Sequence, residues 1–330
     1  MGRRNKKGDK VDGWINLDKP VGVTSTQAVG KVRRALNAQK VGHAGTLDPL
    51  ASGILPIALG EATKTIPYVQ DAFKAYEFTV TWGQQRSTDD AEGDVIACSD
   101  IRPTIEQIEA ALPAFIGEIE QIPPQFSAIK IDGQRAYDLA RAGEQVDIKP
   151  RQVFVEHLEI IHPHPTPPPR GGGNEADAQH LAAVGGGGVS QTSFIMTCSK
   201  GTYVRSLARD LAVTLGTYGY VSALRRTAVG TFTAADAISL EKLTQMDHSA
   251  ARSEALLAVQ APLDDIPALA ISDQEGATLR NGQVLSFISR ADFHRLDGIK
   301  GEALALCRDK AVALVEIEGP HIKPVRVFNL

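Results

Sequence analysis

Apolar positions recur at two periods along the chain and divide it into strands and helices. From Lys74 to Gly83 the period is two: Tyr76, Phe78, Val80 and Trp82 share one face, and Glu77, Thr79 and Thr81 the other. This predicts a half-buried strand. Trp14–Asp18 is a shorter strand, followed by a turn at Lys19-Pro20-Val21-Gly22. Thr24 or Ser25 can cap a helix whose apolar stripe is Val29, Val32 and Leu36, with Lys31 and Arg34 off the stripe. Thr104 with Gln107 makes a capping box for a helix to Phe115, with Ile105, Ile108, Leu112 and Phe115 facing the core. Gln152–His162 and Phe194–Ser199 read as strands. Tyr203 and Arg205 are two apart and point the same way if strand geometry continues that far. A helix is expected from Ser206, with Leu207, Leu211 and Leu215 at spacing four and Gly216 as its stop. Leu224–Gly230 reads as a basic turn, and Leu240 to about Gln260 as helical. From roughly 265 the texture changes to short apolar runs, Val284–Ile288, Ala303–Cys307, Val312–Ile317 and Val325–Phe328. Gly, Asp or Pro turns separate them, which predicts a small β-rich module.

Three stretches interrupt this pattern. Ser87–Asp94 is acidic but lacks the alternating ligand pattern of a calcium loop, and a solvated turn is expected there. Residues 124–150 form a long polar excursion containing Lys130, Gly133, Arg135, Tyr137, Arg141 and Gly143, the composition of a binding loop. Residues 163–190 are rich in proline and then in glycine and can supply no core, so a disordered hairpin tip is expected. A chain of 330 residues is too long for one ordinary core. The divisions expected are a basic disordered arm at 1–10, a main domain at 11–262 and a β-rich domain at 263–330.

Composition narrows the functional classes. Hydrophobic residues at 43% with charged residues at 22% are those of a soluble globular protein. No apolar run follows the basic start and none is long enough to span a bilayer, so no signal peptide or membrane association is expected. Cys98, Cys198 and Cys307 are far apart and form no zinc pattern, and the eight histidines do not cluster. Free cysteines fit a reducing cytoplasm, and no metal is expected. The net charge of −4 hides two basic segments. Residues 1–50 carry ten Lys and Arg against four Asp, a local +6, and 200–226 carry Lys200, Arg205, Arg209, Arg225 and Arg226 against Asp210. Such segments are either solvated helix faces or one basic face for a polyanion.

Candidate chemistry concentrates in Gly42-His43-Ala44-Gly45-Thr46-Leu47-Asp48-Pro49-Leu50-Ala51-Ser52-Gly53. The glycines allow positive φ or close approach to a ligand. Asp48 stands before a proline, where it could simply cap a turn or, held at a loop tip, act as a nucleophile or general base. Gly60-Glu61-Ala62-Thr63-Lys64 lacks the GxxxxGK spacing of a phosphate-binding loop.

These stretches resemble the TruB family of tRNA pseudouridine synthases, which act on the T-loop uridine at tRNA position 55. The similarity is carried by 42–53 with 60–64, Asp18-Lys19-Pro20 with Gly22, Thr24 and Ser25, Lys74-Ala75-Tyr76, Thr88–Gly93, Pro123–Lys130 with Arg135-Ala136-Tyr137, Lys200–Arg205, and Leu224-Arg225-Arg226. It spans residues 12 to about 230 in order, more weakly beyond. The resemblance implies an α+β fold on a mixed, mainly antiparallel sheet, followed by a PUA-like RNA-binding domain. It implies Asp48 as nucleophile, Tyr76 stacked on a flipped base and taking part in proton removal, and Arg205 paired with Asp48. Tyr203 and Leu224 would line the uracil pocket, His43 would contact the displaced base or its vacated space, and Lys19, Lys64 and Lys130 would contact RNA. The 124–150 excursion would be a mobile thumb. No cofactor is implied, tRNA is the implied partner, and a monomer is expected. A tRNA-binding or folding-chaperone role and a nucleoside hydrolase are the alternatives, separable by whether isomerised base, refolded tRNA or free uracil results.

Overall fold

The structure is a computed structural model describing residues 8–127, 129–131, 134–137, 148–161, 183–184 and 188–330; only the backbone is described at 130–131, 134–135, 183–184 and 290. The Lys130 side chain, residues 1–7 of the basic arm, 138–147 of the excursion and 163–182 of the insertion lie outside the described residues.

A ten-stranded, mainly antiparallel sheet carries the first part of the chain. Its strands run in the order Ile238–Ser239, Gly13–Lys19, Ser52–Leu59, Gly219–Val229, Lys74–Trp82, Gln191–Cys198, Arg151–Ile160, Gly117–Gln121, with Val41–His43 and Phe232–Thr233 attached at the side. Helices Ser25–Ala35 and Val204–Thr214 cover one face. The capping boxes form as the sequence predicts, with Thr24 accepting from the Gln27 N–H and Thr104 from the Gln107 N–H. Phe78 and Phe194 stack at 5.2 Å in the core, against Leu207 and Leu211 of the second helix. Alternation is kept along Lys74–Trp82, where Phe78, Val80 and Trp82 are buried and Glu77 is exposed.

A second sheet of five strands, Ala268–Ala270, Gly301–Cys307, Lys310–Glu318, His321–Val327 and Leu285–Ser286, holds the C-terminal module. The module is joined to the first sheet by a shared apolar cluster in which Leu304, Leu314 and Phe328 pack with Trp14, Ile54 and Phe232.

Four expectations need correction. In Leu224–Gly230 only Gly230 is in a turn: Leu224–Val229 is the end of the central strand Gly219–Val229, with Arg226 directly opposite Tyr76 across the ladder. Two basic residues concealed it, because Arg225 finds an ion-pair partner in Asp18 at 2.8 Å and Arg226 finds backbone carbonyls. The 87–94 loop is not simply solvated, since Asp89 and Asp90 are buried against Arg209 and Arg205. The helix after Gly201 begins at Val204, so Arg205 sits in its first turn rather than in a strand. The 240–260 stretch is two helices, Leu240–Gln245 and His248–Ala255, with Asp247 capping the second.

Candidate active site

The loop between Val41–His43 and Ser52–Leu59 is fixed from three sides. Ser25 at the start of its helix donates to the Leu47 carbonyl and accepts from the Leu47 N–H, both at 2.9 Å. The Gly22 N–H reaches the Pro49 carbonyl at 2.8 Å. Arg226, only 2% exposed, donates through Nε to the Ile54 carbonyl at 2.7 Å and through Nη2 to the Gly45 carbonyl at 3.1 Å. Gly45 and Gly53 have φ of +105° and +101°, so glycine is required there for conformational reasons. At Gly53 it is also required for space, because a Cβ would stand 2.1 Å from the Arg226 carbonyl oxygen.

Held in this way, Asp48 projects into a cleft of about 590 Å³. Tyr76 comes from the central strand, Tyr203 and Arg205 from the start of the Val204–Thr214 helix, and Leu224 and Arg226 from the strand beside Tyr76. Arg205 Nη2 lies 2.9 Å from Asp48 Oδ2, and its Nη1 lies 3.3 Å from Asp90 Oδ2. The guanidinium also donates to the Thr88 and Phe126 carbonyls, both at 3.1 Å. Asp90 is braced in turn by the Glu92 N–H at 3.0 Å and the Thr88 hydroxyl. Burial raises the pKa of the neighbouring Asp89 carboxyl, although Arg209 at 2.9 Å opposes that shift. Tyr203 is positioned by its backbone, which exchanges two hydrogen bonds with the Gln121 side chain. Burial raises the phenol pKa of both Tyr76 and Tyr203.

Thus Asp48, Tyr76, Arg205, Tyr203 and Leu224 line one cleft. His43 does not line it and sits half-buried on the short strand paired with Ile57. Lys19 is fully buried, its ammonium donating to the Pro20 and Val23 carbonyls at 2.9 and 2.8 Å. Lys64 pairs with Glu61 and donates to the Val327 carbonyl, both at 2.6 Å, which ties the main sheet to the C-terminal module. In this arrangement Lys19 and Lys64 are committed to the protein's own backbone.

Asp90, Arg226, Lys74 and Arg151 were missed from the sequence as site residues. Lys74 lines the cleft, donates to the Gln70 and Ala72 carbonyls, and is brought to a pKa of about 8 by burial, then by the charge of Arg226. Arg226 had a readable signal: it is two residues from Leu224, so in a strand it shares Leu224's face. Among the described residues no cluster of three or more His, Cys, Asp or Glu could hold a metal, and no helix is long and apolar enough to cross a membrane. The arrangement offers one solvent-reaching carboxylate with a buried arginine counter-charge, a partly buried phenol, and an apolar wall. It suits a planar base with a neighbouring sugar.

Residues 33–204 match the family described as TruB family pseudouridylate synthase (N terminal domain), and 205–266 match the tRNA pseudouridylate synthase B C-terminal domain. The chain is 50% identical to a tRNA pseudouridine synthase B of Caulobacter vibrioides and 47% identical to one of Rhodospirillum rubrum, in each case over 99% of both chains. Its fold is similar to that of a chain in the crystal structure of a Cbf5-Nop10-Gar1 complex, with a TM-score of 0.66, 24% identity, and coverage of 96% of this chain and 84% of that one.

Proposed function

The chain belongs to the TruB family of pseudouridylate synthases, and from that premise we propose that it converts uridine 55 in the T-loop of tRNA to pseudouridine, with Asp48 as nucleophile. The observation that carries this reading is the Asp48 carboxylate at the cleft, 2.9 Å from the buried Arg205 and in the same cleft as Tyr76.

The isomerisation breaks the N1–C1′ bond, turns the base, joins C5 to C1′, loses the C5 proton and takes up a proton at N1. It moves no electron to or from an outside carrier and adds no group, so the reaction needs no cofactor. Asp48 supplies the nucleophile. Arg205, anchored on Asp90 and two carbonyls, orients the carboxylate through a charge-assisted bond. Bringing the base out of its stack costs a few kcal/mol. Stacking on Tyr76 returns about 1–3 kcal/mol, while Tyr203 and Leu224 form the walls. Tyr76 then accepts the C5 proton. Arg151, which lines the cleft, and Lys200, which lines it and pairs with Asp71 at 2.8 Å, would meet RNA phosphates.

The Ala268–Val327 sheet is read as a PUA-like module contributing to tRNA binding. The same binding surface serves a second role in refolding the tRNA, distinct from catalysis. The enzyme is taken to act as a monomer in the cytoplasm.

The test is tritium release from tRNA labelled at uridine C5. Asp48→Asn is expected to lose release while keeping tRNA binding. Turnover near that of the wild type would overturn the nucleophile assignment, and free uracil as product would replace isomerisation by hydrolysis.

A further inference from the structure

Arg226 lines the cleft and stands next to both halves of the proposed machinery. It stands directly across the ladder from Tyr76, so the two side chains leave the sheet on the same face, and both line the cleft. Its guanidinium holds the Gly45 carbonyl at 3.1 Å and the Ile54 carbonyl at 2.7 Å, on either side of Asp48 in the loop. Its main chain pairs with Gly53, whose missing side chain lets the two backbones meet. An arginine is suited to this task because its planar fork presents five donors in fixed directions, so one residue can serve several acceptors at once.

We propose that Arg226 is a positioning residue that fixes the backbone of the Asp48 loop and holds its cation beside Tyr76, the group that takes the C5 proton. In that step the C5–H bond breaks and its electron pair forms the C5–C6 double bond. The C6–N1 double bond of the rejoined base gives its pair to N1, which takes up a proton from solvent, and the C5 proton goes to the phenolate oxygen. Burial works against the phenolate here, and the charge of Arg226 is the largest influence acting in its favour. The inference rests on the roles assigned above to Asp48 and Tyr76.

Two substrates separate the two duties of Arg226. T-arm RNA tritiated at uridine C5 reports the proton transfer. The same RNA carrying 5-fluorouridine has no C5 proton to lose and reports glycosidic cleavage and rejoining alone. Single-turnover rates against pH are compared for the wild type, Arg226→Gln and Arg226→Lys. Both variants are expected to slow 5-fluorouridine conversion at every pH, because the loop loses its clamp. Only Arg226→Gln should move the rising limb of tritium release to higher pH, by about one unit. Arg226→Lys keeps the charge, so its limb should stay in place while its rate falls; a folded, charge-retaining variant thus guards against a result that reflects misfolding alone. An unmoved limb in Arg226→Gln, or wild-type rates of 5-fluorouridine conversion in both variants, overturns the proposal. Tyr76→Phe separates the two levels: tritium release at the wild-type rate would remove the base assignment itself, whereas a slow Tyr76→Phe with an unmoved Arg226→Gln limb removes only the role of Arg226.

Discussion

Arg205 bridges two carboxylates of opposite character: Asp48, 36% exposed at the cleft, and Asp90, 2% exposed beneath it. The exposed carboxylate is free to meet substrate, and the buried one cannot leave. The direction in which the guanidinium points is therefore set from below, by Asp90 with the Thr88 and Phe126 carbonyls, before any substrate arrives. Preorganisation of this kind moves the orienting cost from the reaction to folding.

Asp90→Asn should therefore damage catalysis more than binding. Removing one partner of a buried ion pair costs about 3–5 kcal/mol, and Arg205 is left with a single carboxylate. Pseudouridine formation is expected to fall on the order of 100-fold, with tRNA affinity little changed, as read by single-turnover kinetics and filter binding. Full activity with a lowered melting temperature would reduce Asp90 to a stability role.

Gly53→Ala combines a left-handed backbone with a Cβ 2.1 Å from the Arg226 carbonyl, so the Ser52–Leu59 strand must shift. Destabilisation of about 2 kcal/mol or more is expected, together with a fall in activity, because the displaced strand carries the Asp48 loop. Gly216→Ala is the control. Its φ is +70° but nothing lies within 4 Å, so only the conformational cost, about 1 kcal/mol, should appear in urea unfolding. Equal effects of the two substitutions on activity would contradict the close-approach argument.

Arg151 lines the cleft beside the Lys200–Thr202 turn. Arg151→Ala should weaken tRNA binding and reduce the slope of log affinity against log salt by about 0.7–0.9, the signature of one lost phosphate contact. An unchanged slope would place Arg151 off the RNA path.

Most strands were legible in the sequence because one sheet face is buried and period-two alternation records that directly, as from Lys74 to Trp82. Helix starts were legible through local chemistry, as with Thr24 and Gln27. The Asp48 loop was visible as a glycine-bounded carboxylate, but its alternative as a turn cap could not be dismissed from local residues. Partners distant along the chain were not legible. Arg205 and Asp90 are adjacent only because the Val204–Thr214 helix lies over the 87–94 loop, and buried charges read as surface charges until their partners are known. The contacts of Arg226 were hidden for the same reason, although its spacing from Leu224 was readable: its acceptors are backbone carbonyls 172 and 181 residues earlier, which no side-chain pattern records. The inward contacts of Lys19 and Lys64 with carbonyls were equally invisible, since nothing in their local sequence records those acceptors.

Lys19 supplies a pH dependence whose sign can be worked out. It is fully buried, and burial lowers its pKa from the ordinary 10.5 to about 8, with the charge of Asp48 opposing that shift. Below pH 8 the lysine is protonated whether the chain is folded or not, and the cost of burying its charge is fully present. Between about 8 and 10.5 the unfolded chain binds more protons than the folded one, so this residue's contribution to stability improves as pH rises. Above that window the contribution is constant. Lys74 shifts in the same direction for the same first cause, so the stability of the wild type alone cannot isolate either residue. The difference between wild type and Lys19→Met can, because the titrations common to both cancel. Urea unfolding across this window should show the wild type gaining on Lys19→Met by at most about 1.4 kcal/mol per pH unit. A difference that stays flat would mean that Lys19 titrates as an ordinary surface lysine and that its ammonium leaves the Pro20 and Val23 carbonyls in solution.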